Sequence, residues 1–301
     1  MEEIDNIPQH WLKYDLYHTS PAQSNLPNGI WAGKYLCCTQ EERKQFKVKP
    51  IMVAGNAVQD GCDAAIVDKL DNDVAAREGE FQLNLHKEKF NEEQLIHFEK
   101  IAEGMHQMVL NGITALSEIF PNYKKQKIKS ENSCWAKMPG VELPMTGFID
   151  YESKDIVVEF KTKQRGKPKE LKKGGYSSAK GSLPDKPQES HVKQTAFYKK
   201  ATNKKIFIVY VNDVVPGINP KTKKEEKGFV IFDESHDALN KDAIDWAWET
   251  FIRKNIIRQN IVSSSNSLTD ILSKIDPEFD DPFWDFGDEY VARCKQLWRS
   301  I

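Results

Sequence analysis

The feature that most constrains the fold is a run of three consecutive strand-like segments in residues 127–163. The last two are joined by the polar turn 152–155, and in chain order the segments are KIKSENSCWAKM, LPMTGFIDY and DIVVEFKTK. They predict an antiparallel meander with one buried face. Glu159 and Lys161 are two residues apart, so their side chains point to one face of the last strand. Asp150 ends the preceding strand, and a tight hairpin would bring it to the same end of the sheet.

Helices are predicted on both sides of this meander in the sequence. Apolar residues at helical spacing predict a helix from Gly55 to about residue 70 and a long helix at 91–120, which Asn91 caps and Pro121 ends. The remaining predictions are a short helix capped by Ser20 or Thr19 and interrupted by Pro27 and Gly29, a mobile loop at 162–190, a helix at 188–202, strands at 206–212 and 228–233, and helices from Asp237 onward.

Length and charge limit the domain organisation and the partners. With 301 residues, of which 39% are hydrophobic, the chain can bury a substantial core. We expect one core with an N-terminal helical segment at residues 1–235 and a helical C-terminal extension packed on it at 236–301. Because 43 Lys and Arg face 45 Asp and Glu, the net charge gives no overall attraction to nucleic acid or to an anionic membrane. Any basic surface must therefore be local.

Several classes of protein are disfavoured by what the sequence lacks. It has no signal-like N-terminus and no apolar stretch of membrane-spanning length, so we expect a soluble cytoplasmic protein, in the host cytoplasm if viral, with no membrane partner. The five cysteines form no C-x-x-C pair, and we interpret them as reduced thiols. No H-x-x-x-H or G-x-x-x-x-G-K-[ST] motif occurs, which argues against a zinc hydrolase and against ATP hydrolysis.

Asp150, Glu159 and Lys161 have the chemistry that metal-assisted hydrolysis of a phosphodiester needs. Two carboxylates offer hard oxygen ligands to Mg²⁺ or Mn²⁺, and the backbone carbonyl of Phe160 can supply a third. The metal would polarise the phosphate, while Lys161 would orient a water molecule or stabilise the charge that develops on phosphorus. The same residues also fit an exposed strand with a solvated Glu/Lys pair, and these residues alone do not separate the two interpretations.

Two further groups of polar residues follow this strand. Gln194 and Tyr198 are four residues apart and share one helix face, although an isolated pair of this kind is more typical of a Tyr packed on a sheet and a surface Gln. A positively charged loop begins at Lys161 and is a candidate phosphate clamp, although such a run is by itself more typical of a solvated loop. Its candidate DNA-binding residues are Lys163, Arg165, Lys167, Lys169, Lys172 and Lys173.

Several motifs in combination resemble the PD-(D/E)XK nuclease superfamily. GFID followed by VVEFKTK is similar to its G-x-x-D … (D/E)-x-K signature, and QTAFY at 194–198 resembles the Q-x-x-x-Y motif of its RecB-like branch. GNAVQDG resembles the G-x-x-x-(H/E) helix of RecB-like and phage-recombination exonucleases, and TSPAQSNLPNGIWAGKYL resembles their N-terminal segment. The resemblance covers about residues 19–212. It implies an α/β (α+β) nuclease core, in which helices flank a central mixed sheet, and a divalent metal cofactor.

The resemblance also implies roles for individual residues. Asp150 and Glu159 would be metal ligands, and Lys161 would be the catalytic base or an electrostatic stabiliser. Gln194 would contact Lys161 or the scissile phosphate, and Tyr198 would contact the DNA backbone.

Gln59 departs from the family pattern, because it stands where those enzymes have His or Glu beside the metal. An amide oxygen can ligate a hard cation but carries no charge, so metal affinity should be lower than with Glu. The site is then either a natural variant that binds metal through Gln59 or a water molecule, or a weakened or inactive one. We favour the working site.

The function that the resemblance implies is a metal-dependent exonuclease that degrades DNA from an end in phage-type recombination. DNA, a single-strand annealing protein and a second copy of the chain are the partners to expect. One alternative is a structure-selective or restriction-type endonuclease with the same site. The other is a noncatalytic DNA-binding protein with a degenerate nuclease site, to which Gln59 points.

Overall fold

The predicted meander belongs to a five-stranded sheet in the computed structural model, which describes residues 7–46, 48–220 and 222–301. In chain order the strands are β1 (Lys129–Ala136), β2 (Met145–Glu152), β3 (Ile156–Thr162), β4 (Lys169–Glu170), β5 (Tyr176–Ser177), β6 (Lys205–Val211), β7 (Gly217–Ile218), β8 (Glu225–Glu226) and β9 (Phe229–Asp233). The sheet has the order β1-β2-β3-β6-β9, and β4 with β5 and β7 with β8 form separate small hairpins. Only β3 and β6 are parallel among the neighbours in this sheet, as the structure describes it. The mixed sheet is therefore confirmed.

Helices cover both faces of this sheet. In chain order they are α1 (Gln9–Leu12), α2 (Pro21–Asn25), α3 (Asn28–Tyr35), α4 (Gln40–Lys44), α5 (Pro50–Ile66), α6 (Asn72–Asn84), α7 (Glu92–Ala102), α8 (Met105–Ile119), α9 (Glu189–Thr202), α10 (Lys241–Ser263), α11 (Leu268–Ser273) and α12 (Asp288–Arg299). Short 3-10 turns lie at Lys87–Lys89, Tyr123–Lys125 and Asp237–Leu239. Within the described ranges, no helix combines the length and the apolar character that crossing a bilayer requires.

Alternating side chains on the central strands build a core on each face of the sheet. Val158 and Phe160 of β3 pack with residues of α5, α6 and α8. Val157 packs with residues of α9 and α10 on the opposite face. Helix α9 lies in the connection from β3 to β6, since two parallel strands need a crossover. Glu159 and Lys161 share the parity of Val157, which places them on the α9 side of the sheet.

The single long helix predicted at 91–120 is wrong, because the two helices α7 and α8 occupy this range. Asn91 caps α7 as predicted and accepts a hydrogen bond from the Gln94 N–H at 3.0 Å. The break lies at Gly104. There the Cβ of Asp213 lies 2.6 Å from the position that a Cβ of residue 104 would occupy. A tertiary contact therefore fills the space that a side chain at residue 104 would need.

One helix begins earlier than predicted, and another helix was not predicted. The helix predicted from Gly55 begins earlier, at Pro50. Helix α6 lies outside the predicted elements because small residues, Ala75, Ala76 and Gly79, make up most of its buried stripe. Their size permits close helix packing, since a Cβ at Gly79 would lie 2.8 Å from a methyl group of Val109.

In the N-terminal segment, Ser20 caps α2 as predicted and accepts a hydrogen bond from the Gln23 N–H at 3.2 Å. Pro27 separates α2 from α3. The prediction that Gly29 interrupts a helix is wrong, because Gly29 lies inside α3. Its lack of a side chain leaves room for the backbone carbonyl of Pro277, which approaches it closely.

The N-terminal segment packs against the C-terminal helices. Trp11 and Trp31 share a hydrophobic cluster with Ile271 and Leu272 of α11. Helix α10 also contributes Phe251 to the cluster that lies beneath α9 on the central sheet. The two ends of the chain therefore cover one another and the core.

Arg258 of α10 is a buried connection between these ends. Its guanidinium donates hydrogen bonds to Asn28 Oδ1 at 3.0 Å, to the Gln23 carbonyl at 3.0 Å and to the Leu26 carbonyl at 2.6 Å. The group also lies over the Trp31 ring, with 4.6 Å between Cζ and the ring centroid. The last carbonyl groups of a helix have no N–H partner within the helix. Arg258 therefore supplies hydrogen-bond donors to carbonyls at the end of α2.

Candidate active site

Strands β2 and β3 separate at Asp150. Their antiparallel pairing consists of two residue pairs, of which Tyr151–Val158 is the one nearest the gap. Beyond it, the Phe160 N–H donates a hydrogen bond to Asp150 Oδ2 at 2.7 Å. This side-chain contact stands where a backbone bond of the strand ladder would otherwise continue. The separation opens the sheet beside the polar residues of β3.

The structure brings Asp150, Glu159 and Lys161 together at this gap. Lys161 Nζ lies 3.5 Å from Asp150 Oδ2 and forms an ion pair with Glu159 Oε1. The side chain of Glu159 is 0% exposed, and that of Lys161 is 27% exposed. A solvated Glu/Lys pair on an exposed strand therefore does not describe these residues.

Burial and charge set the protonation of this group. Burial raises the pKa of Glu159 to about 8, although the Lys161 ammonium opposes the shift. Burial acts to lower the pKa of Lys161, but the carboxylates of Asp150 and Glu159 outweigh it and raise that pKa above its ordinary value. Lys161 is therefore a cation at neutral pH, and Glu159 keeps its proton up to about pH 8 unless a further cation approaches.

The donor set fits a divalent cation. The carboxylate of Glu159 is buried, and its ion-pair partner Lys161 also pairs with Asp150, so two carboxylates share one ammonium. Buried carboxylates normally accept hydrogen bonds or bind a cation. Asp150 adds a second carboxylate, and the backbone carbonyl of Phe160 lies between Glu159 and Lys161 in the chain. The described residues hold no group of three or more His, Cys, Asp or Glu placed for a metal, so oxygen ligands from the backbone or water would complete this site.

Gln59 contacts β1 and β2 at the level of Asp150. Its side-chain amide donates a hydrogen bond to Glu131 Oε1 at 3.4 Å, and its backbone carbonyl accepts one from the Tyr151 hydroxyl at 3.4 Å. In the register of β1 and β2, the pairs Ser130–Tyr151 and Asn132–Ile149 lie on either side of Glu131 and Asp150. Glu131 also has a φ of +48°, in the left-handed region that non-glycine residues seldom adopt. No sequence signal marked this Glu, and metal binding by Gln59 stays a prediction.

Gln194 and Tyr198 connect α9 to β2. Gln194 Nε2 donates a hydrogen bond to the Tyr198 hydroxyl at 2.7 Å, and this hydroxyl donates one to the Phe148 carbonyl at 2.6 Å. Tyr198 is fully buried, and the contact of its side chain with a DNA backbone stays a prediction. The pair holds β2 against α9, two residues before Asp150.

His191 is a polar residue of this site that the motifs did not identify. Its Nδ1 lies 2.8 Å from the hydroxyl of Tyr210, which also accepts a hydrogen bond from the Gln188 N–H at 2.9 Å. The usable signal was the spacing, because His191 precedes Gln194 by three residues and shares its helix face.

The first residues of the basic loop are held by the fold. Lys163 Nζ lies 4.9 Å from the centroid of the Tyr210 ring. Arg165 donates hydrogen bonds to Asp213 Oδ2 at 2.6 Å and Glu103 Oε2 at 2.9 Å, so carboxylates already occupy its guanidinium. Residues farther along the loop are exposed; these are Lys167, which forms an ion pair with Glu93 at 2.8 Å, and Lys169, Lys172 and Lys173. These four lysines are the solvent-exposed ones of the predicted DNA-binding residues.

No protein-family model and no curated protein matches this chain. Among solved structures, the chain is similar to one described as "Crystal structure of SSO0001", with 18% sequence identity, a TM-score of 0.26, and coverage of 60% of this chain and 75% of that chain. A TM-score this low carries no argument about fold or function.

Proposed function

We propose that this protein is a divalent-metal-dependent deoxyribonuclease with a PD-(D/E)XK core, and that it hydrolyses DNA from an end. The observation that carries the proposal is the state of Glu159. It is a fully buried carboxylate whose ion-pair partner, Lys161, is shared with a second carboxylate, that of Asp150. Burying such a group is costly unless a cation binds it.

The residues of the site have complementary tasks in this proposal. Asp150 and Glu159 would hold Mg²⁺ or Mn²⁺ together with the Phe160 carbonyl, and the ion would supply Lewis acidity towards a phosphate and a water molecule. The ammonium of Lys161 stays charged, so it orients the attacking water or stabilises the negative charge that develops on the phosphate oxygens. Gln194 and Tyr198 keep β2 and Asp150 in position through the Phe148 carbonyl.

The placement of the motifs supports the same function. GFID lies on β2, VVEFKTK on β3, QTAFY on α9 and GNAVQ on α5, so the sequence motifs that resemble those of nucleases occupy the central sheet and the helices on its two faces. Hydrolysis from an end, rather than within the duplex, rests on the resemblance of QTAFY to the RecB-like branch.

The test is incubation of end-labelled linear duplex DNA with Mg²⁺ or Mn²⁺, with product length followed over time. We expect progressive shortening by the natural protein. Asp150→Ala, Glu159→Gln and Lys161→Ala should each lower turnover at least about 100-fold while leaving the fold intact. Glu249→Gln, an exposed change on α10, is the matched control and should be fully active. No cleavage by the natural protein with either metal would overturn the proposed activity.

A covalently closed circular duplex separates the two kinds of nuclease. An exonuclease leaves it intact, whereas an endonuclease converts it to nicked or linear products. The second candidate function, a noncatalytic DNA-binding protein, is favoured by the contact of the Gln59 amide with Glu131, because this position brings no carboxylate of its own to the site. That candidate predicts that DNA binds and stays uncut on both substrates.

A further inference from the structure

His191 lies against the candidate active site and has none of the tasks described above. It occupies the first turn of α9, and its Nδ1 is 2.8 Å from the Tyr210 hydroxyl. Tyr210 of β6 is the register partner of Lys161 on β3. Register partners of adjacent strands point to the same face of a sheet, so His191, Tyr210 and Lys161 form one group beneath α9.

The hydrogen bonds of Tyr210 fix which ring nitrogen of His191 carries the hydrogen. The Tyr210 oxygen accepts a hydrogen bond from the Gln188 N–H, so its own hydrogen needs an acceptor. Within the described ranges, the acceptor in reach is His191 Nδ1. Tyr210 therefore donates to Nδ1, and in the neutral ring the hydrogen sits on Nε2.

The ring stays neutral at physiological pH. Burial is the main cause, and the nearby ammonium groups of Lys161 and Lys163 add to it, so that the pKa of His191 falls to about 3. Lys163 lies over the Tyr210 ring, which keeps this second ammonium beside the group. His191 is thus a fixed, uncharged N–H donor near two cations, and the described residues provide no hydrogen-bond partner for its Nε2.

We propose that His191 is a substrate-binding residue whose Nε2–H donates a hydrogen bond to a non-bridging oxygen of a DNA phosphate at the active site. This inference rests on the proposed nuclease function and assigns a further contact to it. A phosphate diester is the ligand that fits, because it carries negative charge for Lys161 and Lys163 and acceptor oxygens for a neutral donor. Tyr210 is the positioning residue that holds the ring in the donating form.

Two substitutions separate this contact from a structural role. In His191→Gln the side-chain amide reaches the position of Nε2 and keeps a donor there. In His191→Asn the shorter amide keeps a partner for Tyr210 near the position of Nδ1 but places no donor at Nε2. We expect KM on linear duplex to stay within about threefold for Gln and to rise about tenfold for Asn. A structural role alone would give the opposite order, because Asn preserves the Tyr210 contact.

A second measurement does not depend on turnover or on a folded variant. In the natural protein labelled with ¹⁵N-histidine, the long-range ¹H–¹⁵N spectrum should show His191 with its hydrogen on Nε2, and a ten-nucleotide DNA should shift this signal.

His106→Gln, on the other side of the sheet, is the control for KM and for thermal unfolding. His106 should contribute no DNA-dependent shift.

Each result has a definite meaning. A hydrogen on Nδ1, an unmoved Nε2 signal in a protein that does cut DNA, or an equal loss in the Gln and Asn variants would overturn the role of His191 alone. A natural protein that neither binds nor cuts DNA would overturn the nuclease proposal and this inference with it.

Discussion

The charge state of Glu159 follows from where its carboxylate lies. On an exposed strand this side chain would be ionised at neutral pH, and no proton would compete with a metal ion for it. In this fold it is fully buried with a raised pKa, and Lys161 alone does not offset its burial. A divalent cation is the partner that would complete its neutralisation.

The first prediction concerns pH. A carboxylate that ligates a metal must lose its proton, so protonation competes with metal binding below the pKa of Glu159, about 8. The Mn²⁺ concentration that half-saturates the protein should fall as pH rises from 6.5 to 8, by at most about tenfold per pH unit, and then level off. Calorimetry should show proton release on binding below pH 8. A half-saturating concentration that does not change over this range would contradict the assignment.

The raised pKa of Glu159 also affects the stability of the metal-free protein, but here a rise in pH is unfavourable. Its folded state holds the Glu159 proton between the ordinary pKa of 4.5 and the raised value of about 8. The stability from this group is therefore complete at low pH and is lost as pH rises through about 8. Glu159→Gln, which carries no titrating proton, should remove this part of the pH dependence in urea unfolding.

The second prediction concerns Gln59 and Glu131. Because the Gln59 amide donates to the Glu131 carboxylate, Gln59→Glu places two carboxylates in contact. We expect the metal-free variant to lose about 0.5–1 kcal/mol of unfolding free energy, and Mn²⁺ to reverse the loss and to half-saturate at a lower concentration than in the natural protein. Glu131→Gln in the same background is the control and should relieve the repulsion. Metal titration curves identical to those of the natural protein would show that Gln59 is not near the metal.

At the scale of elements, local sequence patterns correctly predicted the strands of the sheet. They failed where contact with a residue distant in the chain determines the backbone geometry. The meander and the parity of Glu159 and Lys161 follow from period-two alternation, which is a property of each strand alone. The gap at Asp150 does not, because a side chain there replaces a ladder bond. The break between α7 and α8 could not be predicted from local pattern either, since Asp213, far along the chain, occupies the space at Gly104.

The candidate site was also predicted in part, because motif spacing located some of its residues and not the contacts that depend on tertiary packing. Motif spacing placed Asp150, Glu159 and Lys161, and the structure brings them together. Arg165 looked like part of a free basic loop, yet carboxylates of Glu103 and Asp213 hold it. Its partners come from a helix end and a loop that no sequence period connects. Predicting such contacts requires the packing of the whole core.

The third prediction tests the helix break. Gly104→Ala would place a methyl group 2.6 Å from the Cβ of Asp213, so we expect a loss of about 1–3 kcal/mol in urea unfolding. Gly55→Ala is the matched change inside a helix, where the new Cβ meets Thr162 Oγ1 at 3.5 Å. It should be neutral or stabilising by up to about 1 kcal/mol. Equal stability of both variants would mean that Asp213 does not crowd residue 104.

At the scale of the whole molecule, the two ends of the chain depend on each other. Arg258 closes the last turn of α2 from α10, and the hydrophobic cluster around Trp11 and Trp31 is completed by α11. The C-terminal helices are therefore part of what keeps the N-terminal segment folded.

The fourth prediction concerns this dependence. Arg258→Ala removes three hydrogen bonds and the contact with the Trp31 ring and leaves two backbone carbonyls without this donor. We expect a loss of about 2–4 kcal/mol in unfolding free energy. Arg253→Ala, an exposed arginine on the same helix, should change it by less than about 0.5 kcal/mol. Similar values for the two variants would contradict a connecting role for Arg258.

The contact between Arg258 and Asn28 also bears on how the chain is made. The two residues are 230 positions apart. At roughly 5–20 residues per second, a ribosome needs roughly 10–50 s to add that much chain. Throughout this time Trp11 and Trp31 lack the C-terminal residues that complete their hydrophobic cluster. A segment that is made early is thus among the last parts of this chain to reach its final neighbours.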